Sequence, residues 1–250
     1  MLEVSRKNII LVLSYLTGLT VVLVGYLFMV ALPAEGYDPE VYKKGYLYFV
    51  TFQLLLFSLL VPFGDDSPLT DQLTPLLQKY SRLQLLLRCY ACQLLQITIL
   101  SAAAIPLILI IFMVGQLNQV NFIWTLLLQI LWGLVILSVR RLLAATNLHK
   151  NWQNFILVLL IFTFLILSLN YCYFYIEYGQ LVITTVYDKD IPLLFFLNPL
   201  LTTVGLLYVQ TGGTSQLGCG PIICNVVFSG LLIMVVLFLT ARNLRKHSEV

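Results

Sequence analysis

Six stretches of this chain run for about the length of a bilayer-crossing helix without an Asp, Glu, Lys, Arg or His. They extend roughly from Ile9 to Leu32, Tyr46 to Pro62, Cys89 to Val114, Phe122 to Val139, Phe155 to Ile176 and Ile222 to Thr240. A hydrocarbon core of about 30 Å takes about 20 apolar residues of helix, so the pattern predicts an all-α membrane protein with six transmembrane helices. The chain is 60% hydrophobic and 10% charged, whereas about a quarter of a soluble domain is charged. Outer-membrane barrels use strands of about 10 residues with alternating polarity, and this chain shows helix-length blocks instead. The first stretch is too long for a signal core and lacks a small-residue cleavage site, so it is expected to stay as the first span. With no internal repeat, low-complexity tract or linker, residues 1–250 read as a single membrane domain.

Basic residues set the expected orientation, because short cytoplasmic loops retain Lys and Arg. An even number of spans puts both termini on one side, with Arg6, Lys7, Lys79, Arg82, Arg88, Arg140, Arg141, Lys150, Arg242, Arg245 and Lys246. The other side keeps only Lys43, Lys44 and Lys189. Both termini are therefore expected in the cytoplasm. The net charge of +3 comes from this bias and gives no reason to expect nucleic acid as a partner.

Three segments interrupt the spans. In the outer loop from Pro33 to Gly45, Pro33, Gly36 and Pro39 are expected to exclude regular helix. In the cytoplasmic segment of about 64–84, Leu69, Leu73, Leu76, Leu77 and Tyr80 fall on one helical face. Ser67 before Pro68 suits an N-cap, Asp71 and Lys79 suit the helix dipole, and Pro75 would kink the helix or delay its start. Such an amphipathic face is covered either by lipid or by a partner protein. The third segment lies between the fifth and sixth stretches. Its apolar run from Ile191 to Val209 is broken by Pro192 and by Asn198-Pro199, which predicts a re-entrant or interfacial helical hairpin over about 191–210.

No catalytic or nucleotide-binding motif is present, so the chain is not expected to be an enzyme or to hold a cofactor or metal itself. The glycines of Thr211–Pro221 are not followed by Lys-Ser or Lys-Thr, as a phosphate loop requires. Cys89 and Cys92 form a C-x-x-C without a second Cys or His pair. Cys219 and Cys224 either pair in an oxidising compartment or remain two free thiols. His149 and His247 lie in basic segments. Spans without charge argue against a proton relay or ion-coupled carrier. Their polar residues, Gln53, Gln93, Gln96, Gln129, Asn170 and several Ser and Thr, are expected to hydrogen-bond between helices, with a minority lining a path.

The order of these features resembles the membrane subunit of the type-2 ABC exporters. Asp71 to Leu73, Thr74-Pro75 and Tyr80-Ser81-Arg82 precede the third stretch in the family's order. Phe196-Leu197-Asn198-Pro199-Leu200-Leu201 matches its Asn-Pro between helices five and six, and Ala241 to Lys246 matches its basic tail. The sequence departs from the family in having only Asp65-Asp66 where a Glu-rich turn is usual, and a short segment, Met1 to Asn8, before the first span. The resemblance implies an export permease, multi-pass in the inner (cytoplasmic) membrane, and a path with no fixed charge points to an apolar or amphipathic substrate. A second permease chain, identical or different, would complete the pathway, in contact with membrane lipid. A separate ABC ATPase subunit, binding ATP and Mg2+, would supply energy. Leu69, Leu73, Leu76, Leu77, Tyr80, Ser81 and Arg82 would couple to that ATPase, and Pro192, Asn198 and Pro199 would form an outer gate. The alternative is a non-transporting membrane scaffold or assembly factor that anchors a soluble partner.

Overall fold

The computed structural model describes residues 6–32, 38–64, 82–117, 119–144, 148–178, 185–186, 189–190, 198–208 and 220–248. Helix α1 (Arg6–Tyr26) continues into a π turn (Leu27–Ala31), where the Leu32 amide reaches the Leu27 carbonyl at 2.9 Å. Then come α2 (Pro39–Gly64), α3 (Arg82–Val114), α4 (Gln119–Ala144) and α5 (Lys150–Tyr178). A two-stranded antiparallel ribbon, β1 (Thr185–Val186) and β2 (Lys189–Asp190), pairs Thr185 with Asp190. The ten-residue α6 (Pro199–Tyr208) and the long α7 (Gly220–Ser248) complete the fold.

Among the described residues, six helices, α1 to α5 and α7, are long and apolar enough to cross a membrane. Where their side chains point supports a multi-pass membrane protein more firmly than length does. The outer faces carry exposed Leu13 and Val21 on α1 and Phe28 on the π turn, Phe155, Phe162 and Leu167 on α5, and Val227, Leu231, Met234 and Phe238 on α7. Gln53, Ser58, Gln93, Gln129 and Ser138 are buried. A protein in water could not leave so continuous an apolar surface uncovered, whereas lipid covers it and drives polar groups inward.

Helices α2 and α4 form the middle of the bundle. The first packs against α1, α3, α4, α5 and α6, the second against α2, α3, α5, α6 and α7. Small residues allow the close crossings: a Cβ on Gly18 of α1 would sit 2.8 Å from a Leu56 methyl of α2, and one on Gly133 of α4 would sit 3.0 Å from the Phe57 ring. A tight turn joins α3 to α4. Gln116 takes a left-handed conformation (φ 50), the Gln116 amide donates to the Met113 carbonyl, and the Leu117 amide donates to the Phe112 carbonyl. That is the pattern that ends a helix on a left-handed residue, here without the usual glycine.

The helices overrun the apolar stretches, and the expected loop is helical from Pro39 to Gly45. Helix α2 begins at Pro39, seven residues before Tyr46. Proline needs no hydrogen-bond partner for its nitrogen at the first helical position, and the Asp38 carboxylate accepts from the Glu40 amide at 2.9 Å. Glu40 and Lys43 then pair across one turn at 2.7 Å. Gly45 lets the Tyr26 ring lie against α2, where the Tyr26 hydroxyl donates to the Val41 carbonyl. At other ends, α3 starts at Arg82 and α4 runs to Ala144, carrying Arg88, Arg140 and Arg141 as helical residues. Hydropathy marks where a helix stops being apolar, and backbone hydrogen bonding continues past that point.

Candidate functional site

Two buried polar clusters occupy the bundle. The first joins α1, α2, α3 and α4. Ser101 lies close to the midpoint of its span and Gln53 near the middle of its own. The tight turn after α3 brings Ser101 opposite Gln129, since both stand at similar distances from it. The Gln53 Nε2 donates to Gln129 Oε1 at 2.7 Å. The Gln129 Nε2 donates in turn to the Tyr15 hydroxyl at 3.4 Å and to Ser101 Oγ at 3.3 Å. Each of these four side chains is at most 3% exposed. Gln53 Oε1 is buried with no hydrogen-bond partner among the described residues.

Below this cluster the interior closes with aromatic packing. Trp132 Nε1 donates to Ser58 Oγ at 2.8 Å, and its ring stacks on Phe164 at 4.6 Å between centroids. Nearer the Arg140 end of α4, the Tyr90 hydroxyl lies 3.2 Å from Ser138 Oγ, and the Arg141 guanidinium sits 4.9 Å from the centre of the Tyr90 ring. Arg141 is 8% exposed, so a cation–π contact holds a charge that hydropathy alone places in a loop.

The second cluster joins α5, α6 and α7. Asn198 Oδ1 accepts from the amides of Leu200 at 3.0 Å and Leu201 at 3.2 Å. Its Nδ2 donates to Ser168 Oγ on α5, which passes its own proton to the Phe164 carbonyl at 2.7 Å. Thr202 Oγ1 donates to the Asn198 carbonyl at 2.9 Å and accepts from Asn225 Nδ2 of α7 at 3.0 Å. Ser229 Oγ closes the series on Asn225 Oδ1 at 3.5 Å. Asn198-Pro199 therefore acts as a helix start as well as a break. Asparagine is among the best N-caps and proline suits the first helical position, so the pair that interrupts the apolar run also launches α6.

Of the residues singled out from the sequence, Leu69, Leu73, Leu76, Leu77, Tyr80 and Ser81 lie outside the described residues, as does Pro192. Arg82 opens α3 and Pro199 opens α6. Cys89 is buried and Cys92, one turn on, is exposed, so the C-x-x-C does not present two thiols to one environment. Cys224 is exposed, and Cys219 lies outside the described residues. Gln53, Gln93 and Gln129 are buried as interhelical partners were expected to be. Tyr15, Ser101, Thr202 and Asn225 were not singled out. Asn225 carried a usable signal, an amide within an apolar span, while Tyr15 carried none, because tyrosine is equally at home at a membrane surface.

Searches for likeness found no family model, no curated protein and no solved structure that significantly matches this chain.

Proposed function

We propose that this chain is the transmembrane subunit of an exporter of the type-2 ABC class, driven by a separate ATPase that binds ATP and Mg2+. The observation that carries this reading is the short α6, packed among α2, α4, α5 and α7 between the fifth and sixth spans and started by Asn198-Pro199. Ten residues of helix rise about 15 Å, half of a core of about 30 Å, which suits one limb of a hairpin of about 191–210 dipping into the outer leaflet. In this reading both termini are cytoplasmic, as the eleven-to-three split of basic residues favours. Two such chains line the pathway, in an inner (cytoplasmic) membrane. A charge-free middle supports an uncharged, apolar or amphipathic substrate, and leaves no intramembrane acid or base to couple transport to an ion gradient.

The ATPase docks on the face of Leu69, Leu73, Leu76, Leu77 and Tyr80, next to Ser81 and Arg82. The fifth-to-sixth connection with Pro192, Asn198 and Pro199 closes the outer end. A fully buried leucine is worth about 1.5–3 kcal/mol, and about 1.4 kcal/mol is tenfold in affinity. Leu73→Glu with Leu77→Glu is thus expected to release the ATPase from the solubilised complex and abolish export while the membrane domain stays folded. ATPase retained by the folded double variant rejects this docking face. Recovery of a different soluble partner, with no ATPase, favours a scaffold. Single-cysteine labelling from outside intact cells tests orientation: sites beside Lys43 and Lys189 should react, and labelling beside Lys246 rejects the cytoplasmic termini.

A further inference from the structure

The cluster of Tyr15, Gln53, Ser101 and Gln129 does not balance its hydrogen bonds internally. Gln129 uses both amide hydrogens and its carbonyl on these neighbours. The Tyr15 and Ser101 hydroxyls therefore receive protons from Gln129, and each retains a proton of its own to donate. Gln53 Oε1 is an acceptor with no partner among the described residues, in a side chain 1% exposed. The two spare hydroxyl protons and the spare carbonyl belong to groups drawn together around one amide. Leaving a buried carbonyl unsatisfied costs about 1–3 kcal/mol, and buried waters typically make about three hydrogen bonds to such leftover groups.

We infer that these four residues form a mid-membrane site for a neutral hydroxyl group, with water as its smallest occupant. The ligand donates to Gln53 Oε1 and accepts from the Tyr15 or Ser101 hydroxyl. A charged ligand is excluded, because no ionisable side chain of opposite sign stands in the cluster to offset its desolvation. Gln53 is the selecting residue: with its Nε2 placed on Gln129 Oε1, its carbonyl is left to receive a donor. Water and the hydroxyl of a permeant share this chemistry. The inference does not depend on how the chain is energised, so its failure and that of the exporter reading are separable.

Radiolytic hydroxyl labelling of the purified chain in nanodiscs tests it, since a buried side chain is labelled efficiently when a bound water is converted to the radical beside it. Tyr15 is 0% exposed, yet its labelling, scaled for intrinsic reactivity, should approach that of His149, which is exposed and lies outside the spans. In Gln53→Met, labelling at Tyr15 should be lost while labelling at His149 persists. Ser101→Ala keeps the Gln53–Gln129 bond and should lower Tyr15 labelling, and it serves if Gln53→Met does not fold. A pulse in 18O-water separates the two sources. Heavy oxygen on Tyr15 identifies solvent water, whereas a hydroxylated permeant shields Tyr15 and gives a mass adduct in native spectra that is lost in Gln53→Met. Tyr15 unlabelled with no adduct overturns the site, as does labelling unchanged in both variants.

Discussion

The two polar clusters are built from the same uncharged side chains, and they differ in how completely those side chains satisfy one another. Around Asn198 each group that donates finds an acceptor in place: the Asn198 amide closes on Ser168, the Thr202 hydroxyl on the Asn198 carbonyl, and the Asn225 amide on Thr202. Around Gln129 the count does not close, and Gln53 Oε1 is left over. A satisfied buried network fixes a unique packing, whereas an incomplete one carries the cost of its missing partner. The cluster on α5, α6 and α7 thus reads as construction, holding a short helix of ten residues in place. The one on α1 to α4 reads as a place that something else completes.

Substitutions can break that contrast. The largest effect is expected at Asn198→Ala, which removes an N-cap worth about 1 kcal/mol and strands buried amides at about 1–3 kcal/mol. A total loss of about 2–4 kcal/mol should appear as a lower unfolding midpoint in mixed micelles. Asn198→Ser should restore the cap share but not the link to Ser168. Replacing both Asn198 and Pro199 with Leu should likewise destabilise the protein by loosening the start of α6. A stabilised variant with a longer helix in that place would show that the pair merely interrupts a span.

Asn225→Leu comes next, with an expected loss of about 1 kcal/mol, in the upper part of the range for interhelical hydrogen bonds in membranes. A double-mutant cycle with Thr202→Val should return most of that loss as coupling, because the Asn225 amide donates directly to the Thr202 hydroxyl. Absence of coupling would mean that α7 is held by apolar packing and that the Asn198 cluster contributes no specificity.

The smallest effect is expected at Gln53→Met, about 0.6 kcal/mol or less. The Nε2 of Gln53 donates to Gln129 Oε1, and the Gln129 amide that loses this donor can turn its oxygen toward the spare hydroxyl protons of Tyr15 and Ser101. The other end of Gln53 has no partner to lose among the described residues, and releasing a bound water costs little. Equal destabilisation by Gln53→Met and Asn198→Ala would erase the distinction between a built cluster and a completed one.

Much of the architecture was legible because the bilayer imposes a simple test on each segment. Apolar stretches of helix length marked the six spans, and the amides of Gln53 and Gln129 stood out against leucine-rich surroundings as interior groups. Helix ends were less legible. Pro39 reads as a loop residue until Asp38 is seen capping the helix that it begins, and Arg141 reads as a loop charge until the Tyr90 ring is found beneath it. Asn198-Pro199 was singled out as a discontinuity, and α6 begins at Pro199. Its second role, starting α6 and tying it to Ser168, depends on a residue thirty positions away.

The sequence by itself determined which segments can lie in lipid, since transfer of a helix into hydrocarbon is summed residue by residue and needs no knowledge of neighbours. It also determined that the middle of those segments carries no formal charge. Only the tertiary structure decided which polar groups meet and which are left without a partner. Tyr15, Gln53, Ser101 and Gln129 come from four helices, and hydrogen bonds act over about 3 Å with strict direction. A property of that range is set by helix rotation and crossing, which side-chain packing fixes only once the bundle is assembled.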